Sequence, residues 1–194
     1  MPRITRESLW TLERYARERQ AFRAAVMAHK KDRQVFLGEH LSLTFEDEMT
    51  MRYQVQEMLR AERIFEEQGI LGELEAYNPL VPDGRNFKAT MMIEYPEAEE
   101  RRIALARLKG IERRVWVQVA GADRVYAIAD EDLDRETETK TASVHFLRFE
   151  LTEAMAAALK GGAGLAIGVE HPGYTAAADP VPDEVRRSLV GDLA

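Results

Sequence analysis

Asn78-Pro79-Leu80-Val81-Pro82-Asp83-Gly84 is the stretch on which the fold turns. Its prolines and its Asp-Gly pair argue against a continuing helix or a central strand, so the chain must loop here. Before the loop, apolar residues recur at helical spacing. After it, they alternate as strands do. This order predicts an α+β fold, with long N-terminal helices packed on a mainly antiparallel β-sheet rather than a doubly wound parallel one. It also predicts a mostly helical part over residues 1–80 and a β-rich part over 81–194, either as two units or as a single domain.

Upstream of the loop, Asp47 to Glu67 reads as a helix. At about 100° per residue, Met51, Val55, Met58 and Phe65 share one side and Glu62 projects among them. A carboxylate on the core side must be paired, hydrogen-bonded or protonated, which makes Glu62 a candidate site residue. A longer helix is expected over residues 7–36, with Thr5 as N-cap. Its stripe gathers Tyr15, Arg19, Phe22, Val26, His29 and Arg33. Gly38 breaks it, and His40 to Phe45 alternates as a half-buried strand with Leu41, Leu43 and Phe45 on one face. Leu71 to Tyr77 adds a further turn or two of helix.

Downstream, Ala89 to Tyr95 reads as a strand, and Pro96 opens a helix that Gly110 ends. Arg114 to Ala120 and Arg124 to Ala129 form a hairpin around Gly121-Ala122-Asp123. Asp130 to Lys140 is a charged connection. Ala142 to Leu151 is a strand, Thr152 caps a short helix, Leu165 to Glu170 is a last strand, and a short helix starts near Pro182.

The chain has 194 residues, no cysteine, 45% hydrophobic and 31% charged residues, and a formal net charge of −7. Without thiols there are no disulfides, no thiolate zinc site and no cysteine-ligated iron–sulfur cluster. The negative charge argues against nucleic acid as a partner. No apolar run is long enough for a membrane helix and the start lacks a secretory apolar region, so a cytoplasmic location away from membranes is expected.

Three groups of residues could carry chemistry. His29, His40, Glu57 and Glu62, with Glu46 or Glu48 in reach, form a thiol-free donor set that suits iron, manganese or zinc. The bland alternative is a structural network in which Arg33 or Arg19 pairs with Glu62 and His29 adds a hydrogen bond. Arg52, Arg60 and Arg63, beside Gln56 and Tyr53, could clamp an anion or meet a partner, or simply face solvent. His145 and Arg148 fall on opposite faces of the strand over Val144 to Phe149, and His171 sits in a turn. Nucleotide-binding glycine motifs, GxSxG and HExxH are absent.

The run Arg52-Tyr53-Gln54-Val55-Gln56-Glu57-Met58-Leu59-Arg60-Ala61-Glu62-Arg63-Ile64 resembles the central signature of a bacterial family known as domain of unknown function 3501. His29 to Arg33, Gly38 to His40, Ala76 to Leu80, Ala89 to Glu94 and Val144 to Phe149 match as well, and the likeness spans roughly Ile4 to Pro172. Members of that family tend to be encoded near rubrerythrin-like di-iron proteins and iron–sulfur oxidoreductases. The resemblance therefore implies an accessory role in a redox or oxidative-stress system, and it implies no catalytic residue.

Three functions follow as expectations. One is a redox-linked protein that holds a metal through the His/Glu set. Another is a non-enzymatic module that docks a redox partner protein. The third is an enzyme that binds a small anion with Arg52, Arg60 and Arg63 and uses Glu57 as base. The length of the first helix also suggests a homodimer.

Overall fold

The computed structural model describes residues 3–131 and 139–194. The fold is α+β, with six α-helices and two antiparallel sheets among these residues. The helices are α1 (Leu12–Lys31), α2 (Glu48–Ala61), α3 (Glu67–Tyr77), α4 (Ala98–Arg107), α5 (Glu153–Lys160) and α6 (Asp183–Val190). The strands are β1 (Gln34–Leu37), β2 (Leu41–Glu46), β3 (Asn86–Ile93), β4 (Val115–Val119), β5 (Arg124–Tyr126), β6 (Ile128–Ala129), β7 (Val144–Glu150), β8 (Leu165–His171) and β9 (Tyr174–Ala178). The expected charged connection over Asp130 to Lys140 lies largely outside the described residues.

The first sheet has the order β1-β2-β3-β7-β6 and the second β5-β4-β8-β9. Strand alternation sends Leu41, Leu43, Phe45, Phe87, Ala89, Met91, Leu147 and Phe149 inward, where they meet Val115, Val117, Leu165, Ile167 and Val169 of the second sheet. The residues from 124 to 129 serve both sheets, since Ala127 N–H donates to Val115 O at 2.9 Å between the two pairings. At the opposite edge, Tyr174 Oη donates to Leu37 O at 2.6 Å and accepts from His40 N–H at 3.1 Å. Gly38 permits this closure. Its φ is +72°, and a Cβ there would lie 2.5 Å from Tyr174 Oη.

Helices α1 to α3 build their own packing beside the sheets. Met51, Val55 and Leu59 of α2 meet Ile4, Leu9, Ile70, Leu74 and Val81. Tyr53, on another side of α2, packs with Tyr15, Phe22 and Val26 of α1, and Phe22 meets the Tyr53 ring edge-on at 5.8 Å. The turn after α3 is held in place by Asn78, whose amide bonds both backbone groups of Ile4 at 2.9 and 3.0 Å.

Several expectations are corrected. The first helix spans Leu12–Lys31 rather than 7–36, with Thr11 as its hydrogen-bonding N-cap. Asp32 ends it, and Gln34–Leu37 pairs with β2, so Gly38 turns a hairpin rather than breaking a helix. The second helix stops at Ala61. Arg63 takes φ 56°, Glu62 N–H bonds Met58 O, and Ile64 N–H reaches back to Leu59 O at 2.9 Å. Glu62 is thus an exposed C-cap rather than a buried carboxylate, and Phe65 is exposed as well. The strand β9 is an addition to the expected set.

Candidate functional site

The end of α1, the start of α2 and the segment after α6 converge on Arg33, which is 1% exposed. Its Nε donates to Phe45 O at 2.9 Å and its Nη2 to Glu46 O at 3.1 Å. Nη2 also reaches Asp192 Oδ2 at 2.5 Å, and Nη1 meets Ser188 at 3.3 Å. The planar guanidinium, with five donors, suits this crowd of acceptors where a lysine would not.

Asp47 is the N-cap of α2. Its Oδ1 accepts Thr50 N–H at 2.9 Å and Thr50 Oγ1 accepts Asp47 N–H at 2.9 Å, a reciprocal cap. Its Oδ2 meets His29 Nε2 at 2.5 Å and lies 3.6 Å from Arg33. Burial alone would raise the Asp47 carboxyl, but Arg33, the Thr50 N–H and His29 outweigh burial and hold it below the ordinary carboxylate range. Asp192 moves the other way. Burial, helped by nearby Asp47, pushes it up to about 6 against the pull of Arg33. Both aspartates line a cleft of about 580 Å³ between the start of α2, the Val81 to Arg85 loop and residues 191–194.

Closer to the start of α1, Arg19 makes two bonds of 2.7 Å to Glu57, and Tyr15 Oη donates to the same carboxylate at 2.5 Å. The Arg19 hydrogen bond, opposed by burial and joined by Tyr15, holds Glu57 below its usual range. In the sheets, His145 is fully buried, with Nδ1 2.5 Å from Asp130 Oδ2 and Nε2 2.9 Å from Thr141 Oγ1.

The expected metal set is not brought together. His29 faces Asp47, His40 stacks on Tyr95 at 3.9 Å, Glu57 is held by Arg19, and Glu62 is exposed. Among the described residues no three His, Asp or Glu side chains are placed to hold a metal ion. The three arginines have different surroundings. Arg52 lies 3.7 Å from Glu48 and over the Phe22 ring, Arg60 is exposed on the last turn, and Arg63 is past the helix end. Gln56 turns inward and bonds the Trp10 backbone at 2.6 Å. His171 accepts Gly173 N–H in its turn.

A further feature carries no local signal in the sequence. The outer face of the first sheet presents Phe36, Ser42, Met92 and Val144 on one register row and Gln34, Thr44, Thr90 and Phe146 on the next. Phe36 is 64% and Met92 42% exposed. Glu46, Lys88 and Arg148 form the row after that. Only alternation combined with the strand order would have placed these residues together.

No curated protein matches the chain. A solved structure that does is a crystal structure of a novel protein of unknown function from Burkholderia pseudomallei, 57% identical, covering 100% of both chains with a TM-score of 0.94. The family model described as protein of unknown function (DUF3501) matches residues 3–193, nearly the whole chain, and the chain therefore belongs to that family.

Proposed function

We propose that this chain is a non-enzymatic accessory protein of a bacterial redox or oxidative-stress system, working in the cytoplasm by docking an oxidoreductase. The redox setting rests on the family resemblance. Docking rests on one observation, the outer face of the first sheet with Phe36 and Met92 exposed on a single row. Apolar side chains displayed together on an otherwise polar face are a usual mark of a protein-binding surface. Polar groups on and around α1 and α2 that an enzyme could use are instead closed on each other in ion pairs. Among the described residues no helix is long and apolar enough to cross a membrane.

Isothermal titration of the chain with the rubrerythrin-like protein of the same bacterium tests this reading. The wild-type chain binds, and the Phe36→Ser/Met92→Ser pair weakens the complex by about tenfold or more. Binding that is absent, or equal for both chains, sinks the docking role. Self-association that the same pair abolishes assigns the face to a homodimer instead.

A further inference from the structure

Lys88 lies in the middle of β3 with its side chain on the outer face of the first sheet, between Glu46 on β2 and Arg148 on β7. Both neighbours have commitments. Arg148 gives Nε and Nη2 to Glu131 at 2.8 and 2.7 Å and Nη1 to Glu150 at 2.9 Å. Glu46 accepts the Thr90 hydroxyl at 2.7 Å on one oxygen, while its other oxygen is buried with no partner among the described residues. The Lys88 side chain makes no hydrogen bond or ion pair with a described residue.

The side chain is not simply in solvent. It is half-buried and lines a cavity of about 430 Å³ between the sheet and the turn after α3. Pro79, Leu80 and Phe146 give the cavity an apolar wall. Burial and then the like charge of Arg148 push the Lys88 ammonium down from its ordinary range. A half-buried ammonium with no acceptor among the described residues is an arrangement that a ligand's acceptor would improve. The apolar wall calls for a hydrocarbon portion beside that acceptor. Asp83, Glu131 and Glu150 stand around the site, and their charge disfavours a doubly charged phosphate more than a singly charged acid.

We propose that this cavity binds a small organic monocarboxylate, its carboxylate accepting from Lys88 Nζ and its short hydrocarbon chain lying on Pro79, Leu80 and Phe146. The site stands on observations separate from those behind the docking role and survives the loss of that reading.

Hexanoate is the probe, with hexanamide as its neutral match and inorganic phosphate as the anion without a chain. Calorimetry of the full chain gives binding of hexanoate, and Lys88→Met lowers the affinity by about tenfold or more. Affinity also falls at alkaline pH as Lys88 loses its proton. In the wild-type chain, hexanoate slows reductive methylation of Lys88 by formaldehyde and cyanoborohydride, with Lys30, Lys31 and Lys160 as internal controls. This readout needs no variant and holds if Lys88→Met fails to fold. Hexanamide binding as well as hexanoate, phosphate protecting as well as hexanoate, or no protection at all would each overturn the assignment.

Discussion

Arg19 of α1 and Arg33, just past the end of that helix, carry out the same chemistry at different depths. Arg19 and Glu57 form a two-pronged pair with 33% and 23% of their side chains exposed. Arg33 meets Asp192 and Asp47 with 1% of its own exposed, and the two acids at 8% and 18%. Water can replace either partner of the first pair. In the second, each group depends on the others, because a lone buried charge has no cheap substitute. Arg33 also ties distant parts of the chain, the end of α1, the start of α2 and the segment after α6, whereas Arg19 joins only two helices already packed through Tyr15, Phe22 and Tyr53. Depth and connectivity, rather than the kind of charge, separate an anchor from an ornament.

The comparison breaks most visibly at Arg33. Arg33→Met leaves Asp192 without its ion-pair partner and takes the donor from three backbone carbonyls, and it is expected to cost about 3–5 kcal/mol in urea unfolding at neutral pH. A loss under about 1 kcal/mol would mean that water already shares this network.

The next largest effect is one of pH. The Asp192 carboxyl, at about 6 in the folded chain, lies above its ordinary 3.8. Between those values the folded state holds a proton that the unfolded chain releases. The stability from that proton is complete below the lower value and lost as pH rises through the higher one, by about 3 kcal/mol at most. Asp47, shifted downward, acts in the opposite direction and only in more acidic solution. Unfolding curves from about pH 4.5 to 6.5 are expected to weaken with rising pH, and Asp192→Asn to flatten that trend. A variant that keeps the wild-type slope would place its origin elsewhere.

The smallest effect sharpens the contrast. Glu57→Gln keeps an oxygen for Tyr15 and loses only a half-exposed ion pair, so it is expected to cost at most about 1 kcal/mol by the same unfolding measurement. A cost equal to that of Arg33→Met would erase the distinction between the two networks.

Much of the frame was legible in the sequence for local reasons. The Asn78 to Gly84 loop, the alternation of Leu41, Leu43 and Phe45, the strand through Val144 to Glu150 and the Thr152 cap all announce themselves through neighbouring residues. The short strands β1 and β9 did not. Gln34-Val35-Phe36-Leu37 follows a helix with no glycine or proline between, and Tyr174-Thr175-Ala176-Ala177-Ala178 is poor in strand formers. Glu62 misled because a helical wheel continues past a residue such as Arg63 that gives no glycine signal for its left-handed turn. The network of His29 and Arg33 was anticipated in part, but with the wrong acid. Asp47 read as a helix start, and Asp192 lies 159 positions from Arg33. Lys88 became visible only when strand register set it between Glu46 and Arg148.

The run from Arg124 to Ala129 has a consequence for how the molecule breathes. A single stretch of backbone is the edge of one sheet for Trp116 and of the other for Leu147. Neither sheet can therefore fray from that side without loosening its companion. The slowest amide hydrogens of β4 and β7 should then exchange through one shared opening, so that the β-sheets behave as a single cooperative unit even though their hydrogen-bond ladders are distinct.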